Sequence, residues 1–162
     1  MTQDIVSDMM SAPLSNIVRV PAGGALDIVY GNDEEHRSWA AEQIGSGARF
    51  GKEAITIGVE RRGKLCAAAV FNLFTDTSCH AHIATDRGRS WASRSVLAAL
   101  FAYPFQQCSL RRITLPIAAS NRESIILAIK LGFQFEGRLI GACRDGDEII
   151  LGMLAENCPW IG

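Results

Sequence analysis

Two groups of residues in this sequence have the types and spacing for chemistry. The first is Arg87, Gly88, Arg89, Ser90, Trp91 and Ala92, a short stretch between an alternating apolar run and a helical one, with Arg94 one turn further on. A helix N-terminus carries unpaired amides and the positive end of the helix dipole, and together these hold phosphate-like anions. Gly88 permits close backbone approach. Ser90 and Ala92 are small enough to leave the amides open, and Ser90 is suited to cap the helix. The pattern fits a pyrophosphate, and it fits equally an ordinary capped helix with solvated arginines; a short anion loop alone does not separate the two. The second group is His80 and His82, two apart in a strand and therefore on one side of it. An imidazole titrates near neutral pH and can serve as a base; the same pair also reads as structural. Two ligands without a third make a poor zinc site, so no metal is expected. Asp86 and Glu136 are secondary acid–base candidates, each also readable as a solvated carboxylate.

These residues have to be positioned by elements whose order can be read from periodicity. Residues 16–20 read as a short strand stopping at Pro21, and 26–30 as another. Asn32 and Asp33 can cap a helix over 34–44, with Trp39 and Ile44 as its core anchors. Ile55, Ile57 and Val59 alternate with small or polar residues, the period of a half-buried strand. Residues 65–74 form a nearly continuous apolar run, and 79–84 a third strand, giving an antiparallel meander. A helix follows over 91–105, with Pro104 suited to end or kink it. Residues 112–118 alternate as a strand. Ser120 and Glu123 make a capping box for a helix that stops at Gly132. Two strands, 133–140 and 148–154, are joined at Asp145-Gly146. The fold class is mixed α/β, with helix crossovers making local parallel pairing.

The bulk composition narrows the function classes. The 162 residues fit one core, with 16 Lys+Arg against 17 Asp+Glu. That balance gives no general attraction to nucleic acid or an anionic membrane. No apolar run is long enough to cross a bilayer, and the first residues lack a basic cluster and an apolar segment, so the cytoplasm is the expected compartment. Cys66, Cys79, Cys108, Cys143 and Cys158 are odd in number and scattered, which argues for reduced thiols rather than a disulfide framework. Residues 1–15 are expected to be poorly anchored, ahead of a single domain over 16–162. Trp39, Trp91 and Trp160 read as core or interface anchors or as walls of an acceptor pocket. Arg87, Arg89, Arg94, Arg111, Arg112 and Arg122 are expected to gather around the anion site.

The stretch from Arg87 to Ala92 resembles the acetyl-CoA loop of the GNAT N-acetyltransferases, Gln/Arg-x-x-Gly-x-Gly/Ala, with Ser90 where that family prefers Gly. Asn121-Arg122-Glu123-Ser124, followed by Lys130-Leu131-Gly132-Phe133, is similar to the family's Asn-x-x-Ala/Ser helix ending in Leu-Gly-Phe. Phe135-Glu136-Gly137-Arg138, Asp145-Gly146-Asp147 and Gly152-Met153-Leu154 continue it, so the resemblance spans roughly 55–160. The tail is also similar to members encoded by phages and prophages.

The resemblance implies a GNAT-like, mostly antiparallel sheet flanked by helices, with two strands splayed at an acyl-CoA site. It implies acetyl-CoA as cosubstrate. The amides of 87–92 would hold the pyrophosphate, the backbone near Ile83 and Ala84 would pair with the pantetheine arm, and Asn121 and Ser124 would approach from the helix. Asn121 also reads as an ordinary first-turn polar residue. Arg122 and Lys130 would be phosphate partners. The family's Tyr acid matches Ala128 here and its strand Glu matches Pro116, so the usual catalytic pair is absent. The implied function is transfer of acetyl from CoA to an amine, on a small molecule or a protein, with His82 or His80 as base; a homodimer is also consistent. Two alternatives stand beside it: a GNAT-like module that binds CoA or a partner without turnover, and modification of a nucleic-acid base, against which the neutral charge weighs.

Overall fold

The computed structural model describes residues 16–45 and 47–162; the segment expected to be poorly anchored, 1–15, lies outside the described residues. The described residues form an eight-stranded sheet: β1 (Val18–Gly23), β2 (Leu26–Tyr30), β3 (Ile55–Arg61), β4 (Lys64–Asn72), β5 (Ser78–Thr85), β6 (Arg112–Ala118), β7 (Gln134–Cys143) and β8 (Gly146–Leu154). Their spatial order is β1-β2-β3-β4-β5-β6-β8-β7. Three helices flank it: α1 (Asp33–Ile44), α2 (Arg94–Ala102) and α3 (Arg122–Leu131). Every pair of neighbours is antiparallel except β5 and β6. Those two are parallel because the connection between them contains α2, long enough to return the chain to the same edge.

The continuous apolar run of β4 follows from its central place. Ala67, Ala69 and Phe71 face a large core shared with Val96, Leu97 and Leu100 of α2 and Ala128 and Leu131 of α3. Ala68 and Val70 face a smaller cluster with Ala40 and Ala54, against which Trp39, Ile44 and Phe50 pack. A strand covered on both faces loses its polar alternation. Thus α1 packs on one face, over β3, β4 and β5, and α2 and α3 on the other. The thiols of Cys66, Cys79, Cys108 and Cys158 are buried and unpaired, and burial pushes Cys79 up to about 12.

Several local expectations are corrected. The first strand does not stop at Pro21: it runs to Gly23, with a register shift between them. An edge strand tolerates proline because one side of its backbone needs no partner. Trp39 and Ile44 anchor α1 on the smaller cluster as expected, though half-buried, and the fully buried residues of the helix are His36 and Ala40. Asn32 makes no side-chain cap, and the Asp33 carboxylate instead accepts from the Thr56 amide and hydroxyl, both at 2.8 Å. The helix expected over 91–105 is regular only from Arg94 and is capped by Ser93, whose Oγ accepts from the Val96 amide at 3.3 Å. Beyond Ala102 it widens into a turn closed by the Cys108 amide on the Tyr103 carbonyl. Asn121, not Ser120, caps α3, accepting from the Ser124 amide at 3.2 Å. Gly132 ends that helix at φ 109°, the left-handed position where glycine is favoured.

Candidate functional site

β5 and β6 pair at Ser78–Arg112, Cys79–Ile113 and His80–Thr114 and then part, although β5 continues to Thr85 and β6 to Ala118. Each strand is held on its outer side: β5 stays in register with β4 through Thr85, and β6 with β8 through Ala118. The inner backbone edges of residues 81–85 and 115–118 therefore diverge without partners. Backbone amides and carbonyls do not stay unpaired when buried, so such an opening either holds water or receives an extended group that hydrogen-bonds. The result is a cleft of about 370 Å³. Its walls are the two strands, with Gln43 and Ile44 at the end of α1, Asn121, Ser124 and Leu127 from α3, and Arg87 from the loop after β5. Ile83 and Ala84 lie on the β5 wall, as the splay requires. Ala128 and Pro116 also line it, so the two positions that carry Tyr and Glu in the resemblance are on the cleft but have no ionisable group.

The adjoining loop is less open than its sequence suggests. The Arg87 amide donates to Thr85 Oγ1 at 3.2 Å, the Gly88 amide to Asp86 Oδ1 at 2.9 Å, and the Ala92 amide to the Arg89 carbonyl at 3.4 Å. Arg61 holds both the hydroxyl and the carbonyl of Ser90. Arg87, not Gly88, takes the left-handed backbone, at φ 71°. Trp91 is buried under the loop in the large core, and Ala92 is half-buried. Among the six arginines, Arg87 lines the cleft. Arg89 and Arg94 are exposed on the loop and the first turn of α2, and Arg122 begins α3. Arg111 and Arg112 do not join them: they sit at the start of β6, the end away from the opening, and Arg112 is bonded to Glu136. Lys130 lies in the last turn of α3, away from its N-terminus.

Of the two histidines, the structure brings His82 to the cleft and leaves His80 in the paired part of β5. Burial lowers both, and for His82, with the neighbouring His80 adding to it, the value falls to about 4. Asp86 is committed to the Gly88 amide, and the Arg112 guanidinium holds Glu136 below the usual carboxylate range. A second cavity of about 540 Å³ lies beyond β6, bounded by residues 47–48 and the β7–β8 hairpin with Arg144, Asp147 and Glu148. The two cavities share Ile44, His82, Pro116, Ala118 and Ser120. Sequence reasoning missed Ile44, Ser120 and this second space, because they depend on the α1–β3 loop and the hairpin meeting across the sheet. Trp160 is not at either cavity: its ring N–H donates to the Leu131 carbonyl at 2.8 Å, closing the end of α3.

Comparison with solved structures identifies this architecture. The chain matches a GNAT-family acetyltransferase from Bacillus anthracis at 20% identity, TM-score 0.61, over 86% of this chain and 99% of that one. It matches a putative acetyltransferase from Salmonella typhimurium, solved with its cofactor acetyl-CoA, at 13% identity and TM-score 0.64, over 82% and 95%. A spermidine N-acetyltransferase from Vibrio cholerae, in complex with CoA and spermine, matches at 16% identity and TM-score 0.65, over 83% and 98%. No protein-family profile and no curated protein sequence matches the chain.

Proposed function

We propose that this chain, which has the fold of the GNAT N-acetyltransferases, binds acetyl-CoA in the splay between β5 and β6 and transfers its acetyl group to an amine in the second cavity. The observation that carries this reading is the three-residue pairing of β5 with β6, followed by a cleft between two strands each held from outside. An extended pantetheine arm, with its amides, is the kind of group that satisfies such an edge without becoming a strand of the protein. The neighbours solved with acetyl-CoA and with CoA support the cosubstrate. Arg87 and the loop amides still free would take the phosphates.

The reacting carbon belongs where the cavities meet, beside His82. The acceptor nitrogen forms a bond to the thioester carbonyl carbon, loses a proton, and the carbon–sulfur bond breaks to release the thiolate, which takes up a proton. A free amine is a poor acid, but its nitrogen becomes acidic once bonded to carbon. A neutral imidazole of low proton affinity accepts that proton and passes it to water. Burial lowers His82 to about 4, so near neutral pH the ring is uncharged and able to accept a proton.

The test has two arms. Acetyl-CoA raises the melting temperature, because it binds only the folded chain, and an amine panel releases thiol from acetyl-CoA. Absence of the thermal shift ends the proposal. A shift without thiol release over a broad panel selects the binding module instead. His82→Ala lowers turnover more than acetyl-CoA affinity; equal activity in that variant removes His82 as the base.

A further inference from the structure

His82 lines both cavities, yet among the described residues no side-chain hydrogen bond orients its ring. Among the described residues, the histidine ring that makes a side-chain hydrogen bond is that of His36. The ring of His82 instead meets Phe50 edge-on, with centroids 5.0 Å apart and planes at 62°. Phe50 belongs to the loop between α1 and β3, and it is anchored from beneath by the small cluster of Ala40, Ala54, Ala68, Val70 and Ala84. The loop is itself braced. Arg37 on α1 donates to the Lys52 and Ala54 carbonyls at 3.2 and 3.1 Å, and the Ala54 amide closes a turn on the Gly51 carbonyl at 3.1 Å. The contact is thus made by a side chain fixed at its base, on a ring that makes no side-chain hydrogen bond among the described residues.

We propose that Phe50 is the positioning residue for His82, and that the braced loop 47–53 sets the orientation and hydration of that ring where the two cavities join. A base held by hydrogen bonds keeps its tautomer and direction through its second nitrogen. Here a T-shaped aromatic contact does the orienting, and both ring nitrogens stay available to the cavities. His80 lies beside this ring on the same strand, and the charged groups lining the two cavities with it are Arg87 and Glu123 on the cleft side and Arg138, Arg144, Asp145, Asp147 and Glu148 on the hairpin side. Asp147 is already paired with Arg138 at 2.6 Å. Phe50 meets the ring from the α1–β3 loop, and Ile44 at the end of α1 lines both cavities with it. The role in catalysis rests on the acetyl-transfer reading; the contact and its effect on the ring do not.

The experiment follows the His82 ring by nitrogen NMR across pH in the full chain, beside steady-state kinetics. Removing the ring in Phe50→Ala hydrates His82, and its titration midpoint rises from about 4 by about one pH unit or more. In the same variant kcat falls roughly tenfold while KM for acetyl-CoA stays within about twofold, and Phe50→Tyr restores both. An unmoved midpoint in Phe50→Ala overturns the proposal, as does a moved midpoint with unchanged kcat. If Phe50→Ala does not fold, Phe50→Leu, which fills the space without a ring edge, is read by kinetics: a fall in kcat with KM for acetyl-CoA kept supports the positioning role, and an unchanged kcat overturns it. A wild-type chain that neither binds acetyl-CoA nor releases thiol sinks the acetyl-transfer reading alone, and the NMR midpoint still decides whether Phe50 governs His82.

Discussion

The loop after β5 and the splay beside it are adjacent, and they are prepared for a ligand in opposite ways. In the loop, three amides are already bonded to Thr85, Asp86 and Arg89. A diphosphate arriving there competes with a carboxylate of the protein for the Gly88 amide. In the splay, the inner edges of residues 81–85 and 115–118 are free because each strand is committed to its outer neighbour. No local rearrangement can close that gap without undoing a ladder. On the proposed reading, affinity for an extended thioester arm is built into topology, whereas a phosphate seat in the loop is a local, competitive feature adjustable by single residues.

The largest effect is expected from filling the splay. Ser124 is half-buried on α3 and lines the cleft. Ser124→Trp keeps the amide that Asn121 caps and puts an indole into the space, so acetyl-CoA affinity measured by calorimetry falls about 100-fold, or about 2.7 kcal/mol. Unchanged affinity would place the cofactor elsewhere and break the comparison outright.

The next effect concerns the α1 wall of the cleft. His36 is fully buried in α1, with Nδ1 3.0 Å from Thr56 Oγ1. The Thr56 hydroxyl donates to Asp33, so it accepts from His36, which fixes the proton on Nδ1 and leaves Nε2 buried without a partner. That nitrogen lies against Gly58, where a Cβ would have no room. Burial, chiefly, lowers the His36 value despite Glu35, Asp33 and Glu60 nearby; Arg19 also lowers it. The unfolded chain therefore takes up a proton that the folded chain refuses. Stability is whole above the unfolded value, about 6.5, and falls as pH drops below it, by up to about 1.4 kcal/mol per pH unit for each such histidine. His36, His80 and His82 are the chain's 3 histidines, and all are lowered. His36→Asn keeps a donor to Thr56, and it reduces the drop in urea midpoint between about pH 7 and 5.5. An unaltered slope would show that α1 is not held this way.

How much of this was legible follows the same division between topology and local choice. The strands were readable because burial dictates their pattern: β4 is apolar throughout since both faces are covered, and Gly132 marks a left-handed stop that few residues accept. The splay itself could be anticipated only through resemblance, since nothing in the alternation of β5 or β6 records where pairing ends. The caps failed for a physical reason. Ser90 and Ser93, like Ser120 and Asn121, have similar capping ability and lie close together. The choice was made by tertiary partners: Arg61, 29 residues away in no local pattern, takes Ser90. The role of His36 was not legible, because its partners Thr56 and Asp33 become neighbours only when α1 lies on β3. Phe50 sat in a loop without periodicity, so its contact with His82 left no trace in the sequence.

Two smaller changes probe the loop directly. Asp86→Ala frees the Gly88 amide, and acetyl-CoA binding tightens about fivefold, about 1 kcal/mol, in line with one released hydrogen bond. Weaker or equal binding would show that the diphosphate does not use that amide. Ser90→Glu is the least consequential. Read from sequence, a carboxylate at 90 stands at the helix start and should repel phosphate. In the structure Arg61 already grips Ser90, and the new carboxylate pairs with that guanidinium at an exposed position, where such pairs contribute little. Acetyl-CoA affinity then changes by no more than about twofold. A loss above about tenfold would mean that Arg61 yields when the ligand arrives and that position 90 faces the phosphates after all, which would make the loop, rather than the splay, the dominant part of the site.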